Sequence, residues 1–190
     1  MPLIALIGTH AIGKTTAVRR WIERYPKLIG IIADTQLAIR DGEEARERER
    51  EREWKGTGED KRTMIEQYRS LPRITVIDTA AARANMILPF FSIKESVICL
   101  QCSPIVMLNN LRSRCEKQRK KFNSDYWDIQ RLTYEAQGRA VNYVQKNLHP
   151  SQYRIFTVND YERDWPVVDE YFGSLYRRFN NELNRKKVVT

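Results

Sequence analysis

Cysteine is scarce in this chain. Three Cys residues are too few for a scaffold stapled by disulfides, and their small number points to a reducing compartment, the cytoplasm. Glycine and proline are sparse too, at 8 and 7 residues, which excludes collagen-like and mucin-like chains. Long apolar runs are missing. Leu3 to Ile7 and Leu28 to Ala33 have the length of strands and fall far below the roughly 20 residues of a membrane span. A secretory leader does not fit either, because a strand-like run begins by Leu3 and a glycine-bearing loop follows at once. Histidine is rarest, with 2 residues, so a zinc site has little to draw on. The pair Cys99 and Cys102 has the spacing of a metal or redox motif. On a strand, however, residues three apart face opposite sides and do not share a ligand. Acidic residues are outnumbered, 24 against 33 basic ones, and the net charge of +9 favours anionic partners such as nucleotides or nucleic acid.

What is present suits one α/β domain spanning residues 1–190. A hydrophobic content of 42% in 190 residues is enough to bury a core without metal or disulfides. Strand-like runs at Leu3–Ile7, Leu28–Ala33, Ile74–Ile77, Val97–Cys102 and Arg154–Val158 alternate with helical patterns. Helices are expected over Lys14–Tyr25, around Met64 to Leu71, from Ser103-Pro104 with Ile105, Leu108 and Leu111 on one face, from about Asp125 to Leu148, and after Asp164-Trp165-Pro166. Alternation of this kind predicts βαβ units: a five-stranded, mainly parallel sheet with helices on both faces.

One segment offers nothing to a core. Asp41 to Glu53 reads DGEEARERERERE, and Gly56 and Gly58 follow. It reads as a charged, mobile arm over 41–58, either simply solvated or acting as a flap over a substrate site.

The sharpest signal lies at Gly8-Thr9-His10-Ala11-Ile12-Gly13-Lys14-Thr15, which matches G-x-x-x-x-G-K-[ST] at every fixed position, between a strand and a helix start. The chemistry asks for these residues. Two glycines let the backbone curl so that successive N–H groups face phosphate oxygens, and the helix terminus adds its positive end. Lys14 reaches the β- and γ-phosphates of ATP, the Thr15 hydroxyl ligates Mg²⁺, and Thr16 is placed for the α-phosphate. His10 occupies a variable position of the loop. A second Mg²⁺ ligand is expected at the end of another strand, and Ile74 to Ile77 runs into Asp78, although Asp78 also reads as the N-cap of a following helix. A GTPase is disfavoured: Asp78 is followed by Thr79-Ala80-Ala81 rather than x-x-Gly, and no N-K-x-D occurs.

The loop GTHAIGKTT and the run VICLQCSPIVMLNNLRSR, Val97 to Arg114, resemble the small P-loop kinases of the nucleoside and nucleotide kinase group. The resemblance implies a three-layer P-loop NTPase fold in which the loop strand and the Asp78 strand are neighbours. It also implies a basic lid over residues 112–124, with Arg112 and Arg114 neutralising charge in phosphoryl transfer, supported by Lys117, Arg119, Lys120 and Lys121. A carboxylate after the second strand orients or deprotonates the acceptor hydroxyl in that group, and Asp34 stands there; Asp78 is the alternative base, and Asp34 also reads as a cap of the next segment. Arg83 is a candidate for an acceptor phosphate or for a surface ion pair. The chain departs from the group in lacking the D-R-x or E-R-S tripeptide after the third strand, and in carrying the Glu/Arg run where an acceptor arm is usual.

The expected activity is therefore transfer of a phosphoryl group from ATP, with Mg²⁺, to a hydroxyl of a nucleotide-type acceptor. That acceptor is a free nucleoside or nucleoside monophosphate, or a hydroxyl on DNA, as in bacteriophage kinases acting on hydroxymethyluracil; the positive charge tilts toward DNA. A homodimer is compatible with the resemblance, and no membrane partner is expected. The alternative is an ATPase or a nucleotide-switched binding module without an organic acceptor. Tyr126, Trp127 and Trp54 are candidates for base stacking or for ordinary packing.

Overall fold

Successive residues of the first strand point into two different apolar layers: Ile4 and Leu6 into one, Leu3, Ala5 and Ile7 into the other. A strand buried on both faces has to lie in the middle of a covered sheet, and this one does. The computed structural model describes residues 2–9, 11–32, 37–40, 43–44, 58–117, 119, 122 and 124–188. Among them the strands are β1 (Leu3–Gly8), β2 (Leu28–Ile32), β3 (Leu37–Arg40), β4 (Glu43–Glu44), β5 (Ile74–Ala80), β6 (Ser96–Gln101) and β7 (Tyr153–Thr157). The helices are α1 (Lys14–Arg24), α2 (Gly58–Ser70), α3 (Pro104–Lys117), α4 (Ser124–Asn147) and α5 (Tyr161–Val188), with 3₁₀ turns at Ala81–Met86 and Leu88–Phe90.

The sheet order is β4-β3-β2-β5-β1-β6-β7. The five strands from β2 to β7 along this order are parallel, as expected, and β1 and β5 are neighbours. The expected count of five is corrected to seven, because β3 and β4 add two antiparallel strands at the β2 edge. Part of the charged arm thus belongs to the sheet: Glu43 pairs with Arg40 and Glu44 with Ile39. The signal was the dipeptide Asp41-Gly42 between them, the strongest short hairpin former. The arm residues 45–57 lie outside the described residues, and Gly58 opens α2.

Helices cover both faces. Val18, Trp21 and Ile22 of α1, Met107 and Leu111 of α3, and Phe172 and Phe179 of α5 share one layer. Met64 and Ile65 of α2, Ala84, and Ala140 and Val144 of α4 share the other. The first layer is anchored by aromatics: Trp21 stacks on Phe172 with ring centroids 3.8 Å apart, and Trp165 meets Trp21 edge-on at 6.5 Å. Each such pair contributes about 0.5–1.5 kcal/mol beyond the area it buries.

Two helix readings are corrected. The stripe that α3 buries is Met107, Leu111 and Cys115, spaced by four, whereas Ile105 sits about 200° around from Met107 and is 71% exposed. The start of α5 lies at Tyr161, ahead of Asp164-Trp165-Pro166. The Asp160 carboxylate caps it, accepting the amides of Glu162 and Arg163 at 3.0 Å each. Asp164 accepts hydrogen bonds from the Arg163 side chain and the amides of Asp160 and Asn159, which hold its carboxyl well below the usual carboxylate range. Pro166 lies inside the helix. Among the described residues no helix is long and apolar enough to cross a membrane.

Candidate phosphate-binding site

The chain leaves β1 toward β2 and β5 on one side and later returns to β6 on the other. Loops after strands that diverge in this way open a crevice at the carboxyl edge of the sheet. The motif loop, residues 9–13, follows β1 at that edge. Parallel register does the rest: Leu6 lies opposite Asp78, and Gly8 opposite Ala80. Asp78 therefore sits beside the last turn of β1, inside a strand that continues to Ala80. The N-cap reading of Asp78 is overturned, since the 3₁₀ turn starts only at Ala81.

Lys14, Thr15 and Asp78 meet. The Thr15 hydroxyl donates to the Asp78 carboxylate at 2.6 Å, across 63 residues of sequence. Lys14 Nζ lies 3.7 Å from the other carboxylate oxygen. It donates to the carbonyls of Gly8 and Thr9 at 3.1 and 2.9 Å. Both Lys14 and Asp78 are buried, at 8% and 4% exposure, so the ammonium and the carboxylate neutralise each other where an isolated charge would be costly.

The described loop residues each have their own reason. Gly8 is dictated by space, not by backbone angle: a Cβ there would lie 3.1 Å from Leu100 Cβ and 3.3 Å from the Leu100 carbonyl of β6. Gly13 is dictated by both, with φ at 97° and Tyr161 and Trp165 pressed against the place of its Cβ. Ala11 also has a positive φ, 58°, so the loop alternates backbone hand as an anion-binding nest does. Ile12 is buried and pins the loop to the α1 layer. Thr9 is fully buried, with its hydroxyl 3.7 Å from Cys102 Sγ. Gly13 is the N-cap of α1, makes no side-chain cap, and no acidic residue stands in the first turn, so the first amides of α1 have no side chain competing for them. Thr16 is exposed on that first turn.

His10 and Asp34 lie outside the described residues, as do Trp54, Lys120 and Lys121. Arg112 and Arg114 are exposed on α3, off its buried stripe. The Arg112 guanidinium lies 5.5 Å from the Phe122 ring centroid, and among the described residues no ion pair joins either arginine to the loop. Lys117 and Arg119 are exposed, and so is Arg83 on the 3₁₀ turn after β5. Tyr126 and Trp127 lie in α4, with side chains outside the described set. Cys99 and Cys102 point into opposite layers, as the strand spacing requires. Burial pushes the Cys102 thiol up, against the opposing pull of Thr9 and Lys14. Two contributors escaped the sequence reading: the Tyr161 and Trp165 wall behind Gly13, and Gln137 of α4, which bonds the Cys102 main chain.

Is this donor set suited to the expected cation? One carboxylate and one hydroxyl, both hard oxygens on rigid elements, suit Mg²⁺, which keeps waters and phosphate oxygens for the rest of its shell. The chain matches no protein-family model and no curated protein.

Proposed function

We propose that this chain is a P-loop phosphotransferase of the three-layer NTPase fold, acting on ATP with Mg²⁺. The observation that carries the reading is the convergence of Lys14, Thr15 and Asp78 at the mouth of a strand–loop–helix turn whose amides lack a side-chain cap. A sequence motif recurs by chance; a remote carboxylate placed beside it by sheet register rarely does.

The division of labour follows from charge. The amides of Thr9 to Gly13 and the α1 terminus hold phosphate oxygens. Lys14, released from the Gly8 and Thr9 carbonyls, turns to the same oxygens. Thr15 and Asp78 hold the cation, which when bound screens the phosphate charge and aligns the transferring group. Asp34, by its place after β2, accepts the proton of the acceptor hydroxyl as that oxygen bonds the γ-phosphorus and ADP leaves. Arg112 and Arg114 neutralise charge on the transferring phosphoryl from the basic run 112–124. The acceptor is a nucleotide-type hydroxyl, with DNA favoured over a free nucleoside or nucleoside monophosphate by the net charge of +9.

The test uses γ-labelled ATP and Mg²⁺ with free nucleosides, nucleoside monophosphates, and DNA with and without hydroxymethylated pyrimidines. Label retained on DNA, with activity falling steeply as salt rises, is the expected result. Label on a small molecule reassigns the acceptor, and label found only as inorganic phosphate makes this an ATPase. Lys14→Ala abolishes transfer in every case; turnover that survives it refutes the loop as the reacting site.

A further inference from the structure

The carboxyl end of β6 outruns its partners beside the phosphate loop, where Leu100 lies against Gly8. Its pairing with β1 ends at Cys99 and with β7 at Gln101, where the Gln101 carbonyl takes the Val158 amide at 2.7 Å. Cys102 comes next, buried at 4% exposure, with an amide and a carbonyl beyond the last ladder pair of β6. Buried main-chain groups do not stay unpaired cheaply. One side chain meets both. Gln137, 6% exposed in the middle of α4, accepts from the Cys102 amide with Oε1 and donates to the Cys102 carbonyl with Nε2, each at 3.0 Å. A carboxamide carries both functions in one plane, so it stands in for a neighbouring strand.

What makes this more than a helix–sheet contact is what Cys102 touches. Its Sγ lies 3.7 Å from the hydroxyl of the fully buried Thr9, and the Thr9 carbonyl is the shorter of the two main-chain contacts that hold Lys14. The contacts run without a gap from α4 through Gln137, Cys102 and Thr9 to Lys14. Misplacement of a reacting group by about 1 Å costs on the order of 100-fold in rate, so a rigid wall behind Thr9 matters to the chemistry. Resting on the phosphotransferase reading, we infer that Gln137 is a positioning residue: it clamps the end of β6 to α4 and so fixes the wall against which the phosphate loop sets Lys14.

The molecule supplies its own control. Gln152 is equally buried, at 5%, and makes the same kind of paired contact, donating to the Ser92 carbonyl at 2.8 Å and accepting from the His149 amide at 3.1 Å. It precedes β7 and lies at the opposite edge of the sheet from the loop. The experiment compares Gln137→Met with Gln152→Met, each keeping volume and losing both bonds. It measures thermal stability, the affinity for Mg·ADP and the rate of phosphate release from Mg·ATP. Both variants should melt lower by similar amounts. Only Gln137→Met should lower kcat, by about 10- to 100-fold, with affinity for Mg·ADP changed less than about threefold. Equal kcat in the two variants, whether both intact or both reduced, overturns the inference, because a merely structural clamp would not separate them. If the wild type turns over no ATP, or Lys14→Ala behaves like the wild type, the phosphotransferase reading fails instead. The clamp then stands or falls on amide hydrogen exchange: residues 9–14 should exchange faster in Gln137→Met and not in Gln152→Met, and unchanged exchange there refutes it.

Discussion

Replacing Gly13 by alanine adds one methyl group, and the structure says where that methyl goes. Gly13 has φ at 97°, a conformation in which an L side chain crowds its own backbone at a cost of about 1–2 kcal/mol. The new Cβ also lands 3.0 Å from Tyr161 Cε2 and 3.2 Å from Trp165 Cζ2 and Nε1. Tyr161 is 47% exposed and can swing aside, but Trp165 is 1% exposed and wedged between Trp21 and Tyr161, so it decides the outcome. Overpacking a rigid wall costs about 1–3 kcal/mol. Restricting the unfolded chain returns up to about 1 kcal/mol. The net loss is about 1–5 kcal/mol, a fall in Tm of about 6–12 °C near the middle of that range for a chain of this size. Urea unfolding should show a lower midpoint at an unchanged slope. Nucleotide binding should weaken at temperatures where the variant is fully folded, because Gly13 sets the direction of the loop amides. Ala11→Gly is the matched opposite: at φ 58° it removes strain and should leave stability unchanged or raise it by up to about 1 kcal/mol. A Gly13→Ala protein as stable as the wild type would refute the claim that the α5 wall and the backbone hand together dictate glycine here.

Two further outcomes follow from single groups. Asp78→Asn keeps an acceptor for the Thr15 hydroxyl but loses the charge beside Lys14; the Mg²⁺ concentration needed for half-maximal turnover should rise at least roughly 10- to 100-fold, and a magnesium titration that matches the wild type would remove Asp78 from the cation site. Burial pushes the Cys99 thiol up from 9.0 to about 12. Between those values the unfolded chain gives up a proton that the folded chain keeps, so stability should fall as pH rises above about 9, by up to about 1.4 kcal/mol per pH unit; Cys99→Val should flatten that slope in pH-dependent unfolding, and an unaltered slope would count against it.

Much of this was legible one segment at a time. The motif loop is a contiguous string whose glycines, lysine and threonine are read from their spacing, and β1 and β5 read as short apolar runs because burial on both faces leaves no polar alternation. The opposite facing of Cys99 and Cys102 follows from the strand period alone. Local signals mislead where two rules compete. Asp164-Trp165-Pro166 resembles a helix start, yet Asp160 supplies a better cap one turn earlier. Leu37 to Arg40 is a strand of four residues that runs straight into a block of charge, and so short a run carries little period of its own.

Tertiary structure decided the contacts between segments. Nothing local to Asp78 distinguishes a partner of Thr15 from a helix cap; the pairing of Leu6 with Asp78 does, because parallel register brings the carboxylate level with Thr15. Nothing local to Gly8 says that its reason is the approach of Leu100 rather than a turn. Gln137 reads in sequence as one polar residue of a helix, and only the end of β6 beneath it makes it a clamp. Spacing along a chain is set by local backbone geometry and can be read directly. Which main-chain groups a strand leaves unpaired depends on where its neighbours end, and that is fixed only when the whole sheet closes.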